Sequence, residues 1–218
     1  GYSLLIVGLT ATYGAIGYYR QGLIEVKASL IFAVPSIIAV YLTRAYLMPA
    51  IPEVIVSSPF LLEKDLLIMV SFALLMLLSA YMMLTKNTSQ SRQQSKHHNP
   101  LYIVLEGMVV GVVTGMLGAG GGFLIIPALV LLMGMEMRKA VGASLLIISL
   151  KSLIGFTGDL QAGVSLDWSL IGKLIIFTIF GMWLGTRMAS KVNSTMLQKG
   201  FGIFTLFIAI FILVKEII

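Results

Sequence analysis

The chain has 218 residues, no cysteine, 58% hydrophobic and 11% charged residues, and a mean hydropathy of +1.00. Soluble domains are about half apolar and about a quarter charged, so a water-soluble fold is excluded, and disulfides, thiol catalysis and Cys-based metal sites go with it. The net charge of +6 does not point to nucleic acid, because Lys and Arg stand singly at the ends of apolar runs and form no basic face.

In chain order, apolar runs fall at about residues 3–19, 27–48, 65–85, 101–117, 123–134, 140–157, 168–186 and 196–217, here called segments a to h. Most have roughly the 17 to 25 residues with which a helix crosses about 30 Å of hydrocarbon. The predicted fold class is therefore all-α, a polytopic transmembrane helical bundle. Segment e is only about half a span, so d and e are expected to form a helical hairpin or a pair of broken helices. Pro35 in segment b marks an expected kink or break. Between c and d, Lys86 to Pro100 reads KNTSQSRQQSKHHNP, the composition of a solvated linker. The adjacent His97 and His98 could ligate a metal, but they have no Cys or nearby carboxylate and are read as linker. Gly1 is not an initiator Met and no secretory pattern precedes segment a, so the natural N-terminus is expected to lie upstream.

The chain repeats itself. Gly1, Ser3, Leu4, Leu5, Ile6, Leu9, Gly14, Gly17 and Gly22 recur at one constant offset as Gly142, Ser144, Leu145, Leu146, Ile147, Leu150, Gly155, Gly158 and Gly163. Segment a thus matches f. At a slightly larger offset Thr43-Arg44, ending b, matches Thr186-Arg187, ending g, and at a smaller one Leu62 and Lys64 before c match Leu197 and Lys199 in h. An ordered series across three segments predicts a duplication. The division is 1–85 as a first repeat, N-terminally incomplete, 86–100 as a cytoplasmic polar linker, and 101–218 as a second repeat. Counterparts of d and e, roughly forty residues, are expected ahead of Gly1 if both halves are needed.

Loop charge sets the orientation. The linker carries Lys86, Arg92 and Lys96 and no acid, so it is placed inside. Arg20 with Lys27, Arg138 with Lys139, and Arg187, Lys191 and Lys199 then fall inside, while Glu53, Glu63, Asp65, Asp159 and Asp167 fall outside. Segments a and f consequently cross in opposite senses, so the repeats are expected to be inverted, with substrate near the midplane between them.

The strongest local feature is Gly115-Met-Leu-Gly118-Ala-Gly120-Gly121-Gly122, ahead of Pro127. Glycine at this density breaks a helix, and open backbone within a membrane is tolerated only where protein or a wet cavity surrounds it. The following helix N-terminus would offer free N–H groups and partial positive charge to an anion. Gly118, Gly120, Gly121 and Gly122 are therefore read as substrate-binding, whereas Gly107, Gly111 and Gly115 at GxxxG spacing are read as a packing face.

Lys151 stands near the middle of segment f. An intramembrane ammonium lines a pathway or meets a partner, so it is read as the cation that holds the anion, against the alternatives of snorkelling or a structural carboxylate pair. Its repeat mate is Thr10. Glu106 either carries a coupling proton or neutralises Lys151. Ser144, Ser149 and Ser152, with Ser3 in the other half, offer hydroxyls to oxyanion oxygens or simply pack. Arg44 and Arg187 are read as interfacial anchors.

The stretch from Glu106-Gly107 through TGMLGAGGGFLIIPALVLL and then VGASLLIISLKSLIGFTGD resembles the TauE/SafE family of membrane transporters, the sulfite exporters, as does GYSLLIVGLTATYGAIGYYRQG with the Pro35 region. Members of that family carry an earlier glycine-rich hairpin, absent before Gly1 here. The resemblance implies outward transport of sulfite or organosulfonate anions across a bacterial-type cytoplasmic (inner) membrane. It also maps the glycine motif onto Gly118, Gly120, Gly121, Gly122 and Pro127, and the serine helix onto Gly142, Ser144 and Lys151. The expected function is thus a secondary transporter of a small sulfur oxyanion, proton-coupled and working by alternating access, with a passive channel for a small anion or neutral solute as the alternative. A purely structural membrane subunit and a membrane enzyme rank lower, the latter because the apolar segments hold no His, Cys or paired catalytic carboxylates. No cofactor, metal site or catalytic residue is expected. The expected partners are a small anion and the lipid bilayer, and a homodimer through a glycine face stays open.

Overall fold

The computed structural model describes residues 2–52, 54–56, 62–85, 100–117, 122–161 and 167–217. The chain forms helices α1 (Tyr2–Arg20), α2 (Val26–Leu42), α3 (Met48–Ala50), α4 (Lys64–Thr85), α5 (Pro100–Leu117), α6 (Gly122–Leu131), α7 (Met137–Gln161), α8 (Trp168–Lys191) and α9 (Ser194–Ile217). A π-helical turn, Thr43–Leu47, joins α2 to α3. The loop before α4 adds one short antiparallel hairpin, β1 (Val54–Val56) with β2 (Leu62–Glu63), a small exception to the all-helical expectation. Among the described residues five stretches are long and apolar enough to cross a membrane: Val26–Ala50, Leu66–Thr85, Met137–Gly158, Trp168–Lys191 and Ser194–Glu216. Helix α6, at about 15 Å, is too short to do so. The linker expected at 86–99 lies outside the described residues.

Glycine ends two of these helices. Gly22 takes φ 69° after α1, which lets the Leu23 N–H reach back to Tyr18 O at 3.1 Å. Gly134 takes φ 63° after α6, and the Met135 N–H closes on Leu129 O at 3.0 Å. Only glycine adopts this left-handed conformation without a Cβ penalty, so both positions stop their helices cleanly. Asp167 starts α8 by accepting hydrogen bonds at Oδ1 from the Ser169 and Leu170 N–H groups.

Helix α2 packs along α5, α4 along α9, and α1 along both α7 and α8. The α2–α5 contact is close because of three glycines. A Cβ on Gly107 would stand 2.6 Å from Phe32 O, one on Gly111 2.5 Å from Ser36 O, and one on Gly115 2.9 Å from Thr43 Cβ. The expected packing face is therefore real, and the second Hα of Gly107 and of Gly111 points at a carbonyl of α2, the weak hydrogen bond common between close membrane helices. Across α1 and α7, Leu145 lies against Gly14 and Leu4 against Gly155. Early residues of one helix meet late residues of the other, so the two run antiparallel.

The inner core gathers Phe32, Met83, Ile103, Ile125, Leu129, Met137 and Ile147 from α2, α4, α5, α6 and α7. By contrast, α8 exposes Ile176, Phe177 and Phe180. In a multi-pass protein such a surface faces lipid, which is as apolar as the side chains themselves.

The start of α7 is tied to two neighbours. Lys139 Nζ donates to Glu25 Oε1 at 2.8 Å, and Arg138 donates to Ser190 O at 2.9 Å and to Val192 O, capping the C-terminal end of α8. The ion pair is well exposed, with 40% and 52% of the two side chains open, so screening leaves it worth less than about 1 kcal/mol. Glu25→Gln is accordingly expected to move the thermal midpoint in detergent by less than about 3 °C. A larger fall would mean that the pair holds the α1–α2 loop in place.

Candidate anion-binding site

The site begins with Lys151 on α7. Its ammonium donates to Ser36 Oγ at 3.0 Å and to Thr114 Oγ1 at 3.3 Å. Ser36 belongs to α2 and Thr114 to α5, and both are buried, at 0% and 2% exposure. Three helices thus meet at one cation. The sequence explains how. Pro35 removes a backbone donor from α2 immediately before Ser36, and Gly107, Gly111 and Gly115 bring α5 against that stretch. Thr114, the neighbour of Gly115, also donates to Gly111 O at 3.2 Å.

An ammonium carries three donors. Among the described residues Ser36 and Thr114 take two of them, which leaves the third open to a ligand. A hydroxyl that accepts from the ammonium keeps its own proton to donate. Thr114 spends its proton on Gly111 O, so one N–H of Lys151 and the O–H of Ser36 can converge on an oxyanion, and hydrogen bonds between an ionised donor and acceptor are the strong kind.

A second polar cluster lies where α1, α7 and α8 meet. Thr10 Oγ1 donates to Thr178 Oγ1 at 2.9 Å, and Thr178 passes its proton to Ile175 O at 3.1 Å. Thr12 Oγ1 and Ser149 Oγ are 2.6 Å apart, and Thr12 also reaches Gly8 O at 2.7 Å. In this arrangement the hydroxyls satisfy one another and a helix carbonyl, as polar side chains between membrane helices do.

The other residues singled out in the sequence are placed as follows. Ser3 is exposed on α1, and Ser152 is buried. Ser144 is buried and donates to Val141 O of its own helix at 2.8 Å. Glu106 sits on α5, eight residues before Thr114 and so about 12 Å nearer the Pro100 end. Gly122 opens α6, and a Cβ there would come 3.1 Å from Ile148 Cδ1 on α7, which places the start of α6 one turn from Lys151. Gly118, Gly120 and Gly121 lie outside the described residues.

Ser36 and Thr114 were not anticipated. Each is a lone hydroxyl in an apolar run, and nothing local marks it. The only available signal was position, since Ser36 follows the helix proline and Thr114 precedes a glycine of the packing face.

Five candidate spans around a half-buried lysine held by two buried hydroxyls go with one class of protein, the membrane transporters. The chain matches the model of the family "Sulfite exporter TauE/SafE" over residues 1–212 and belongs to that family. It is 26% identical to a "Probable membrane transporter protein" of Xylella fastidiosa (strain 9a5c) over 98% of this chain and 78% of that protein. It is 25% identical to the "Probable membrane transporter protein YdhB" of Bacillus subtilis (strain 168) over 91% of this chain and 77% of that one. A third relative, the "Probable membrane transporter protein MJ0441" of Methanocaldococcus jannaschii, is 31% identical over 51% of this chain and 43% of its own length. No solved structure matches the chain.

Proposed function

We propose that this transporter exports a small sulfur-containing oxyanion, sulfite or an organosulfonate, across the cytoplasmic membrane by alternating access, with Lys151 holding the anion. The observation that carries the reading is the ammonium held between the buried Ser36 and Thr114 hydroxyls. The ammonium N–H and the Ser36 O–H offer two convergent donors to the oxygens of an anion, and the description of the matching family points to sulfite among them. Gly118, Gly120 and Gly121, leading into Gly122 at the start of α6, would add backbone N–H groups to the same anion. Glu106 carries the coupling proton in this scheme, about two turns along α5 from Thr114.

Inverted halves are supported by an exchange among the α1–α7 contacts. Offsetting each residue to its repeat mate turns the contact of Gly14 with Leu145 into that of Leu4 with Gly155. The same operation turns the pair Thr12 and Ser149 into the contact of Gly8 with Leu153. A twofold axis through two antiparallel helices has this consequence. Thr10 and Lys151, mates themselves, each bond to the mate of the other's partner helix, Thr10 to α8 and Lys151 to α2. In this reading Thr10 with Ser3 belongs to an uncharged counterpart of the Lys151 half.

The test is a substrate panel with purified protein in proteoliposomes. Ser36→Ala is expected to raise KM for sulfite and methanesulfonate about tenfold, the effect of one lost hydrogen bond to a charged group, and Thr114→Val, which removes only an acceptor that positions the ammonium, to raise it less. No flux of sulfite or methanesulfonate in the wild-type protein, or unchanged KM in Ser36→Ala, would remove the proposed anion site.

A further inference from the structure

We infer that Ile148 is a specificity-determining residue of the anion site, the apolar wall on which the tail of an organosulfonate lies while Lys151 holds the head. The inference rests on the transport reading above and deepens it. It names the side chain whose bulk decides how long a tail the site admits.

Helix α7 faces the connection between α5 and α6 at two points. The Lys151 ammonium donates to Thr114 Oγ1 at 3.3 Å, three residues before α5 ends at Leu117. The Ile148 side chain meets Gly122, the first residue of α6, where an added Cβ would stand 3.1 Å from Cδ1 and 3.8 Å from Cγ1. Among the described residues outside α6, only Ile148 comes within 4 Å of that position. Residues 148 and 151 are neighbours on one face of α7, their Cβ atoms about 5–6 Å apart. Side chains on a helix lean toward its N-terminus, which is the direction of Ile148 from Lys151. A charged head and an apolar side chain thus border the same corner of the bundle.

That corner offers a tail little else to lie against. Ser36 and Thr114 present hydroxyls that already accept from the ammonium. The residues that join Leu117 to Gly122 are Gly-Ala-Gly-Gly, with no side chain larger than a methyl. Ile148 is also placed differently from its neighbour. Ile147 is sealed in the inner core at 0% exposure, whereas Ile148 only borders that core and is partly buried. Part of its surface is therefore open. A tail laid on such a surface leaves water, a gain of about fourfold in affinity for each methylene. One methylene too many for the space costs about tenfold or more.

The experiment is uptake of labelled sulfite into proteoliposomes, with methane-, ethane-, propane- and butanesulfonate as competitors. The quantity read is the concentration of each sulfonate that halves uptake. Ile148→Ala is expected to lower that concentration for butanesulfonate, relative to methanesulfonate, about tenfold. Ile148→Val, which removes one carbon, is expected to shift the same ratio about fourfold in the same direction. Ile148→Phe, which fills the space, is expected to raise the value for methanesulfonate about tenfold. Leu145→Ala and Leu145→Val, on the side of α7 that packs against Gly14 of α1, are expected to leave the ratio unchanged. If Ile148→Ala folds poorly, Ile148→Val against Leu145→Val decides: a shift in the first alone supports the inference, and equal shifts or none overturn it. An unchanged ratio in Ile148→Ala and Ile148→Val, with uptake lost in Lys151→Met, overturns the Ile148 role and leaves the transport reading standing. Uptake retained in Lys151→Met, or no sulfite uptake by the wild-type protein, overturns that reading and the Ile148 role with it.

Discussion

Lys151→Met is expected to abolish saturable sulfite flux while leaving the protein folded. Methionine matches the length of the lysine stem and removes only the charged head, so packing among α2, α5 and α7 is kept. Burying an ammonium in a membrane costs free energy, and the two hydroxyls left behind can turn to helix carbonyls of their own, as Thr114 already does with Gly111 O. The thermal midpoint should therefore hold or rise. The anion, by contrast, loses its ion pair. At about 4 Å and an effective dielectric of about 20 that interaction is worth about 4 kcal/mol, a loss of about a thousandfold in affinity. Flux above about a tenth of the wild-type rate at low sulfite would show that Lys151 does not hold the anion and serves as a snorkelling or structural residue.

The second large effect is structural. Gly111→Val places a branched side chain where even a single Cβ would stand 2.5 Å from Ser36 O and 2.7 Å from Ala39 Cβ. The obstacle is backbone, which cannot swing aside, so α2 and α5 must separate. Overpacking of this kind costs about 2 kcal/mol or more, which corresponds to a fall of about 4 °C or more in thermal midpoint for a domain of this size. Transport should fall too, because Ser36 and Thr114 face Lys151 only while the two helices touch. Gly181→Val and Gly185→Val on α8, where nothing lies within 4 Å of an added Cβ, should leave the midpoint nearly unchanged. Equal tolerance at Gly111 and Gly181 in a thermal scan would refute the close-packed interface.

The helices were legible in the sequence because hydropathy is a sum over many residues. Segments a, c and h match α1, α4 and α9 to within two residues at each end. Segment b was read as one run, whereas the chain winds α2 into a π turn and then α3. Hydropathy is blind to the number of residues per turn, so that feature left no trace. The glycine packing face was readable because GxxxG spacing is itself the geometry of close approach. Lys151 stood out as a charge among apolar neighbours, where desolvation makes accident expensive.

The partners of Lys151 were not legible. Ser36 and Thr114 are far from it in sequence, and a single hydroxyl in an apolar helix has no periodicity to mark it. They become visible only when α2, α5 and α7 are placed together. Ser144 illustrates the converse. It shares the helix of Lys151 and the same chemistry, yet its hydroxyl bonds to Val141 O, because a helix offers every Ser a carbonyl within reach. Residue type names candidates, and packing chooses among them.

The central claim, that an anion crosses by alternating occupation of a site at Lys151, is tested most directly by counterflow. Proteoliposomes loaded with unlabelled sulfite and diluted into trace labelled sulfite should show transient accumulation of label above its equilibrium level, because each outward trip returns a loaded, inward-moving site. Lys151→Met should show none. A monotonic approach to equilibrium by the wild-type protein, without overshoot, would contradict the account and favour a passive channel.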